Sequence, residues 1–232
     1  MPADPAQVLD FPLRRGLLIV AEGLDGSGKS ATIEGMARWF ERRGRKSRVV
    51  AWEPSRLVTR AAADPRARTA LTARVAALLA AADAQRRIGA PVARRLERGE
   101  IVLADRYGWT AIAREVARGL DLEWAVNLHQ PLPAPDLILY HHGDAGSAIE
   151  RALATRPPSV RSAAVGAAYG SFVERLLGTF EILAERSRTG LGTPWPSPVV
   201  ELDVHAAPGA NARLAREAVR ALVEPPAARR PA

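Results

Sequence analysis

The chain has 232 residues, a formal net charge of +8 from 33 Lys plus Arg against 25 Asp plus Glu, and 47% hydrophobic residues with 5% aromatic. That balance fits a folded protein with an alanine- and leucine-rich interior and argues against general disorder. There is no cysteine, which excludes disulfides and thiolate metal sites, and there is no apolar run of about eighteen residues that would span a bilayer. The arginines are spread among alanines and glutamates in helical segments, with no aromatic-interleaved basic stripe. They read as a solvated surface, so neither nucleic acid nor membrane is expected as a partner. The opening "MPADPAQVLDFPLRR" lacks the charge, apolar run and cleavage-site order of a signal peptide, so a cytoplasmic protein is expected.

"GLLIVAE" (16–22) is a β-branched apolar run that predicts a buried strand, and from Lys29 the apolar positions Ile33, Met36, Ala37 and Phe40 follow helical spacing until Gly44. "SRVVAW" (47–52) predicts a second buried strand. A long alanine-rich helix over about 68–88 comes next, then a shorter one from Pro91 to Arg98, where proline suits the first turn. "GEIVLADRY" (99–107), "PDLILYHH" (135–142) and "SPVVELDV" (197–204) predict three more strands, with helical patterns between them. Strands alternating with helices imply an α/β fold: a five-stranded parallel sheet with helices on both faces and ligands at the carboxyl ends of the strands. The expected organisation is one domain over 1–223, with a loose tail, "EPPAARRPA", over 224–232.

Between the first strand and the first helix, "AEGLDGSGKS" (21–30) satisfies G-x-x-x-x-G-K-S/T at Gly23, Gly28, Lys29 and Ser30. Glycines allow backbone N–H groups to close around phosphate oxygens, and the helix N-terminus adds partial positive charge. Lys29 is placed to reach the β- and γ-phosphates, and the Ser30 hydroxyl to hold Mg²⁺. Only two of the 33 basic residues are lysine, so a lysine at this position points to a need for its compact charge. The loop alone leaves GTPases, motor ATPases, transporters and small-molecule kinases open.

"EPSR" (53–56) ends the second strand and "DRY" (105–107) the third, so both face the crevice of the phosphate loop. There Asp105 could bind Mg²⁺ or its waters and Arg106 an acceptor phosphate, or the two could form a structural pair. "AIERALATRPPSVR" (148–161) carries Arg151, Arg156 and Arg161 on a helix end and the loop after it, a candidate lid over about 151–166. His141 and His142 read as strand-end packing, and Trp195 as a loop anchor.

With these pieces in order over residues 16–223, the chain resembles the thymidylate kinase family of P-loop nucleoside-monophosphate kinases. The segments carrying the resemblance are "EGLDGSGKS", the "EP" at 53–54, "ALLAAADAQ" (77–85), "GEIVLADRY", "PDLILY" with "AIERALATR", "FVERLLGTFEILA" (172–184) and "VVELDV". The resemblance implies a three-layer P-loop kinase fold, ATP as donor, a nucleoside 5′-monophosphate as acceptor, Mg²⁺ and a homodimer. It implies that Gly23, Asp25, Gly26, Ser27, Gly28, Lys29, Ser30 and Ala31 bind the triphosphate, and that Lys29, Arg106 and Arg156 carry catalysis. The metal falls to Ser30 and Asp105. The acceptor falls to Asp25, Glu53, Arg56, Arg74, Asp105 and Arg106, with Ala80, Ala84 and Trp109 at the base.

The departures from the family gather at that base. Ala80 and Ala84 stand where the resemblance implies a stacking phenylalanine and a base-binding arginine. "GWTAIARE" (108–115) puts Trp109, Arg114 and Glu115 where a polar and aromatic set is usual, and the lid's acidic-basic motif is absent near "AAVG" (163–166). Arg86 or Arg87 could restore a cation if the helix register shifts. The expectation is therefore a kinase for dTMP or a related, larger or modified nucleotide. A kinase for a non-nucleotide metabolite, a catalytically silent nucleotide-binding protein and a nucleic-acid-dependent ATPase are the alternatives.

Overall fold

The structure, a computed structural model, describes residues 16–53, 55–68, 70–154, 163–207 and 209–223. In chain order its elements are β1 (Leu17–Gly23), α1 (Lys29–Glu41), β2 (Ser47–Ala51), α2 (Arg56–Ala63), α3 (Pro65–Arg68) and α4 (Ala73–Ala84). A π-helical turn (Gln85–Gly89), α5 (Ala90–Glu97), β3 (Ile101–Asp105), α6 (Gly108–Ala117) and α7 (Leu122–His129) follow. β4 (Leu137–His142), α8 (Ala145–Ala154), α9 (Ala163–Thr189), β5 (Val199–Asp203) and α10 (Ala210–Val223) complete the described residues. The five strands are all parallel in the order β2-β3-β1-β4-β5.

Successive strand side chains alternate between faces, and both faces of the central strands are apolar, which explains the unbroken runs in the sequence. Leu18, Val20, Val102, Ala104, Ile138 and Tyr140 pack toward Ile112 and Phe180 of α6 and α9. Leu17, Ile19, Ala21, Leu103 and Leu139 pack instead toward Ile33, Met36 and Phe40 of α1 and Val219 of α10. Burial of each such side chain stabilises by about 1.5–3 kcal/mol. The result is the three-layer arrangement expected from the sequence. No helix among the described residues is long and apolar enough to cross a membrane.

Two local expectations change. β2 is an edge strand, and Val49 on it is 45% exposed, so its apolar run does not mark a strand buried on both sides. The alanine-rich helix begins later than expected, at Ala73, because Thr72 caps it by accepting from the Val75 amide. It then continues through the π turn directly into α5. Pro91 has no N–H to donate to the previous turn, and the ladder passes it with the Ala90 amide bonded to the Gln85 carbonyl five residues back.

The start of α6 is set from far along the chain. A Cβ on Gly108 would lie 2.0 Å from the Trp195 ring, and the Trp195 indole is buried with its N–H donating to the Leu132 carbonyl at 3.1 Å. Trp195 thus anchors the 189–198 loop, as its proline-flanked position suggested.

Candidate active site

The glycine loop leaves β1 at the centre of the sheet and delivers its chain into α1. Gly23, Gly26 and Gly28 all have positive φ, which side-chain-bearing residues adopt only at a cost. At Gly23 the restriction is doubled, since a Cβ there would sit 2.4 Å from the His141 carbonyl of the adjacent strand. Lys29, 3% exposed, turns back into the loop and donates to the Leu24 carbonyl and to Ser27 Oγ at 3.0 Å. Burial, together with the Arg106 cation, pushes its ammonium down to about 7. His141, also buried, meets the Ser27 carbonyl through Nδ1 at 2.9 Å, and burial with the Lys29 charge pushes it down to about 4. A neutral ring whose Nδ1–H donates to that carbonyl accounts for both observations, so His141 buttresses the loop.

Ser30 Oγ donates to Asp105 Oδ2 at 2.5 Å, which joins the first turn of α1 to the end of β3. The other oxygen of Asp105, Oδ1, is buried with no hydrogen-bond partner. A hydroxyl beside a carboxylate with one unpartnered oxygen is a hard-oxygen donor pair suited to Mg²⁺. Among the described residues no three His, Cys, Asp or Glu side chains gather into a metal cluster, so such an ion would complete its shell with water and phosphate oxygens.

Just after β3, Arg106 is the one non-glycine residue with positive φ (67°) among the described residues. Strain of this kind costs on the order of 1–3 kcal/mol, and here it accompanies an ion pair from Arg106 to Asp25 at 2.8 Å. Arg114 approaches the same Asp25 oxygen at 3.6 Å. Burial raises the Asp25 carboxyl, but Arg106, Arg114 and Lys29 hold it below the usual carboxylate range. Glu22 fixes the backbone that follows. It is 1% exposed and accepts from the amides of Tyr107 (3.1 Å), Trp109 (2.8 Å) and Thr110 (3.2 Å) and from the Thr110 hydroxyl (2.5 Å). Burial pushes Glu22 up to about 7, against the pull of those donors. An acidic group at the opening turn of α6 also suits the helix dipole.

Beside this cluster lies a cavity of about 250 Å³ between α2, α4, α6 and α7, walled by Ala76, Ala77 and Ala80 on one side and by Trp52 and Arg114 on others. Ala80 lines this cavity. Ala84 does not: it is 2% exposed and turned into the core. Trp109, expected at the base, is corrected to a core residue, with no exposed surface and an edge contact to Tyr140 at 6.0 Å between ring centroids. The aromatic ring facing the cavity is Trp52, just before Glu53. Neither Arg86 nor Arg87 lines it. Both pair with buried Asp83, at 2.9 and 2.8 Å, and Arg87 also donates to the Glu53 carbonyl at 3.1 Å. The cations at the cavity come from Arg114 and Arg118 of α6.

Glu53 and Arg56 are exposed after β2 and at the start of α2, and the Arg74 guanidinium lies 5.3 Å from the Trp124 ring. Arg156 and Arg161 lie outside the described residues, as do the centre of the expected lid and the tail over 224–232. The sequence reading missed Trp52, His129 and Glu22 and gave His141 no part in the loop. The available signals were an aromatic before "EP" and a glutamate ending an otherwise apolar strand.

A parallel sheet in this order, with a glycine loop running into α1 and Ser30 joined to the Asp105 at the end of β3, defines a P-loop protein of the nucleotide-kinase fold. The thymidylate kinase family model matches residues 21–165, and the chain belongs to the thymidylate kinase family. It is 34% identical over 134 residues to a probable thymidylate kinase of Thermococcus gammatolerans, covering 53% of this chain and 64% of that protein. It is 33% identical over 137 residues to a probable thymidylate kinase 2 of Saccharolobus solfataricus, covering 59% and 64%. A thymidylate kinase of Xanthomonas campestris matches at 34% over 129 residues, covering 53% and 55%. The chain thus spans less than two thirds of the length of these relatives.

Proposed function

We propose that the protein transfers the γ-phosphoryl group of ATP to a nucleoside 5′-monophosphate, as a thymidylate kinase-like enzyme acting on dTMP or a related deoxynucleotide. The observation that carries this reading is that the glycine loop and the end of β3 meet twice, Ser30 donating to Asp105 and Asp25 pairing with Arg106, beside a buried Lys29 turned into the loop. The names of the relatives, thymidylate kinase in each case, support the same reaction. A phosphate oxygen of the acceptor attacks the γ-phosphorus, the bond from that phosphorus to the β–γ bridging oxygen breaks, and ADP leaves with the bond's electrons. Lys29 and the loop amides hold the β- and γ-phosphates, Arg106 the acceptor phosphate, and Asp25 keeps the Arg106 guanidinium oriented. Mg²⁺ held at Ser30 and Asp105 would neutralise triphosphate charge. Arg156 is our choice for the cation that closes over the transferring group. Catalysis of this kind rests on positioning and charge neutralisation.

The reading extends to a single domain over 1–223 in a cytoplasmic homodimer. Leu57, Val75 and Leu78, each at least 44%, 40% and 48% exposed on α2 and α4, support a dimeric state. Light scattering on the purified protein checks it. The test of the reaction is a coupled ADP-release assay across the common ribo- and deoxyribonucleoside monophosphates. ATP consumption that depends on a monophosphate is expected; consumption that only water, DNA or a non-nucleotide metabolite supports would refute the reading.

A further inference from the structure

The glycines of the phosphate loop permit its shape but do not choose it. Gly28 has a φ of +90°, and a glycine takes either sign of φ at little cost, so the peptide plane between Ser27 and Gly28 can turn over unless something outside the loop holds it. His141 is placed to hold it. The residue ends the pairing of β4 with β1, opposite Gly23, and its Nδ1 lies 2.9 Å from the Ser27 carbonyl. A Cβ on Gly28 would lie 3.9 Å from the same nitrogen, so the ring packs against the turn itself. Lys29 meets Ser27 at its hydroxyl and leaves the carbonyl to the imidazole.

In a trans peptide the carbonyl and the following N–H point in opposite directions. A Ser27 carbonyl drawn to the buried ring therefore turns the Gly28 N–H away from it, toward the side of the loop on which Gly28 is exposed. Among the described residues no hydrogen bond engages that amide. The imidazole is also a costly way to fill its position: His141 is 3% exposed, and its Nε2 is buried without a hydrogen-bond partner. A leucine would occupy much the same space with no polar atom to desolvate. We infer that His141 is a positioning residue for the donor nucleotide, which by holding the Ser27 carbonyl presents the Gly28 N–H to an oxygen of the triphosphate. This rests on the reading above that the glycine loop binds ATP, and adds to it a side chain from a neighbouring strand. A donor already aimed at its anion needs no ordering when the anion arrives, and the difference appears as affinity.

The experiment compares the wild-type protein with His141→Leu and His141→Asn by calorimetric titration with ATP and Mg²⁺, by KM for dTMP in the ADP-release assay and by melting temperature. His141→Leu should weaken ATP binding by about tenfold, as for loss of one hydrogen bond to a charged group. Its KM for dTMP should stay within about twofold and its melting temperature should be unchanged or higher, because a buried polar ring has been removed. His141→Asn, whose Nδ2 can take the place of the imidazole Nδ1, should recover most of the ATP affinity. The inference is overturned if His141→Leu binds ATP as the wild type does, if the two variants lose affinity equally, or if the loss in His141→Leu comes with a lower melting temperature and an equal rise in KM for dTMP. Failure of every monophosphate to be phosphorylated would refute the kinase reading, and ATP binding by the variants would still decide the role of His141. If the wild type itself binds no ATP, the crystal structure of ligand-free His141→Leu decides it: a Ser27–Gly28 peptide turned over supports the inference, and one left as in the wild type overturns it.

Discussion

The glycine-loop half of the candidate site and the alanine-walled cavity beside it are built on opposite terms. Around the glycine loop three sets of short polar contacts sit side by side: Lys29 and His141 on Ser27, Ser30 on Asp105, and Arg106 on Asp25. The neighbouring cavity is shaped mainly by what is small: an alanine wall on α4, one ring from Trp52, and a buried carboxylate–imidazole pair. Handling a triphosphate needs fixed charges at fixed spacings, which few residue sets can provide. Enclosing a base needs room and a few contacts, which many sets can provide.

The largest effect that would sharpen this contrast is on folding. Trp109→Ala removes a fully buried ring from the core beneath the base side and should cost about 3–5 kcal/mol in urea denaturation; a variant as stable as the wild type would return Trp109 to the pocket. Lys29→Ala should lower kcat by about 10²–10³-fold while leaving the melting temperature unchanged or raised, because a desolvated ammonium is removed. Near-normal turnover would break the assignment of the phosphate half. Ala80→Phe fills the cavity wall and should change KM for the acceptor by about tenfold with KM for ATP unaltered. Equal changes in both constants would mean that the two halves are not separable.

The smallest effect is a pH response. His141 has a folded pKa of about 4, below its ordinary 6.5, so the unfolded chain takes up the proton first and stability is lost as pH falls from about 6.5 to about 4. Glu22 has a folded pKa of about 7, above its ordinary 4.5, so its contribution is fully present below about 4.5 and is lost as pH rises to about 7. The two slopes oppose each other over the shared window. Glu22→Gln should unmask the histidine, and its stability should fall more steeply on acidification than the wild type's, by up to about 1.4 kcal/mol per pH unit. Chemical denaturation between pH 4.5 and 6.5 measures this, and parallel slopes would refute it.

The placement of the glycine loop was legible in the sequence because its pattern is local: Gly23 to Ser30 is one contiguous stretch, and Asp105 and Arg106 stand at the end of a strand whose position follows from the βα alternation. His141 escaped because its role comes from strand pairing. Gly23 and His141 meet only because β4 lies beside β1 in register, and a single chain does not display which strands are neighbours. Glu22 looked like the polar end of an apolar run, yet it collects the amides of a turn eighty-odd residues downstream. Ala84 and Trp109 went astray for another reason. Assigning them to the pocket assumed a helix orientation and a start for α6, whereas burial turned Ala84 inward and the Glu22-bonded turn sent Trp109 into the core.

The contact between Gly108 and Trp195 bears on the order in which the protein comes together. At Gly108, the first residue of α6, even a Cβ would meet the Trp195 ring, and that ring is secured to Leu132, 63 residues earlier in the chain. During synthesis α6 therefore emerges well before the loop that packs on its first turn, and a contact of such long sequence separation forms late because closing the intervening chain costs entropy before the contact repays it. The first turn of α6 thus reaches its final setting only once the loop bearing Trp195 has docked on Gly108.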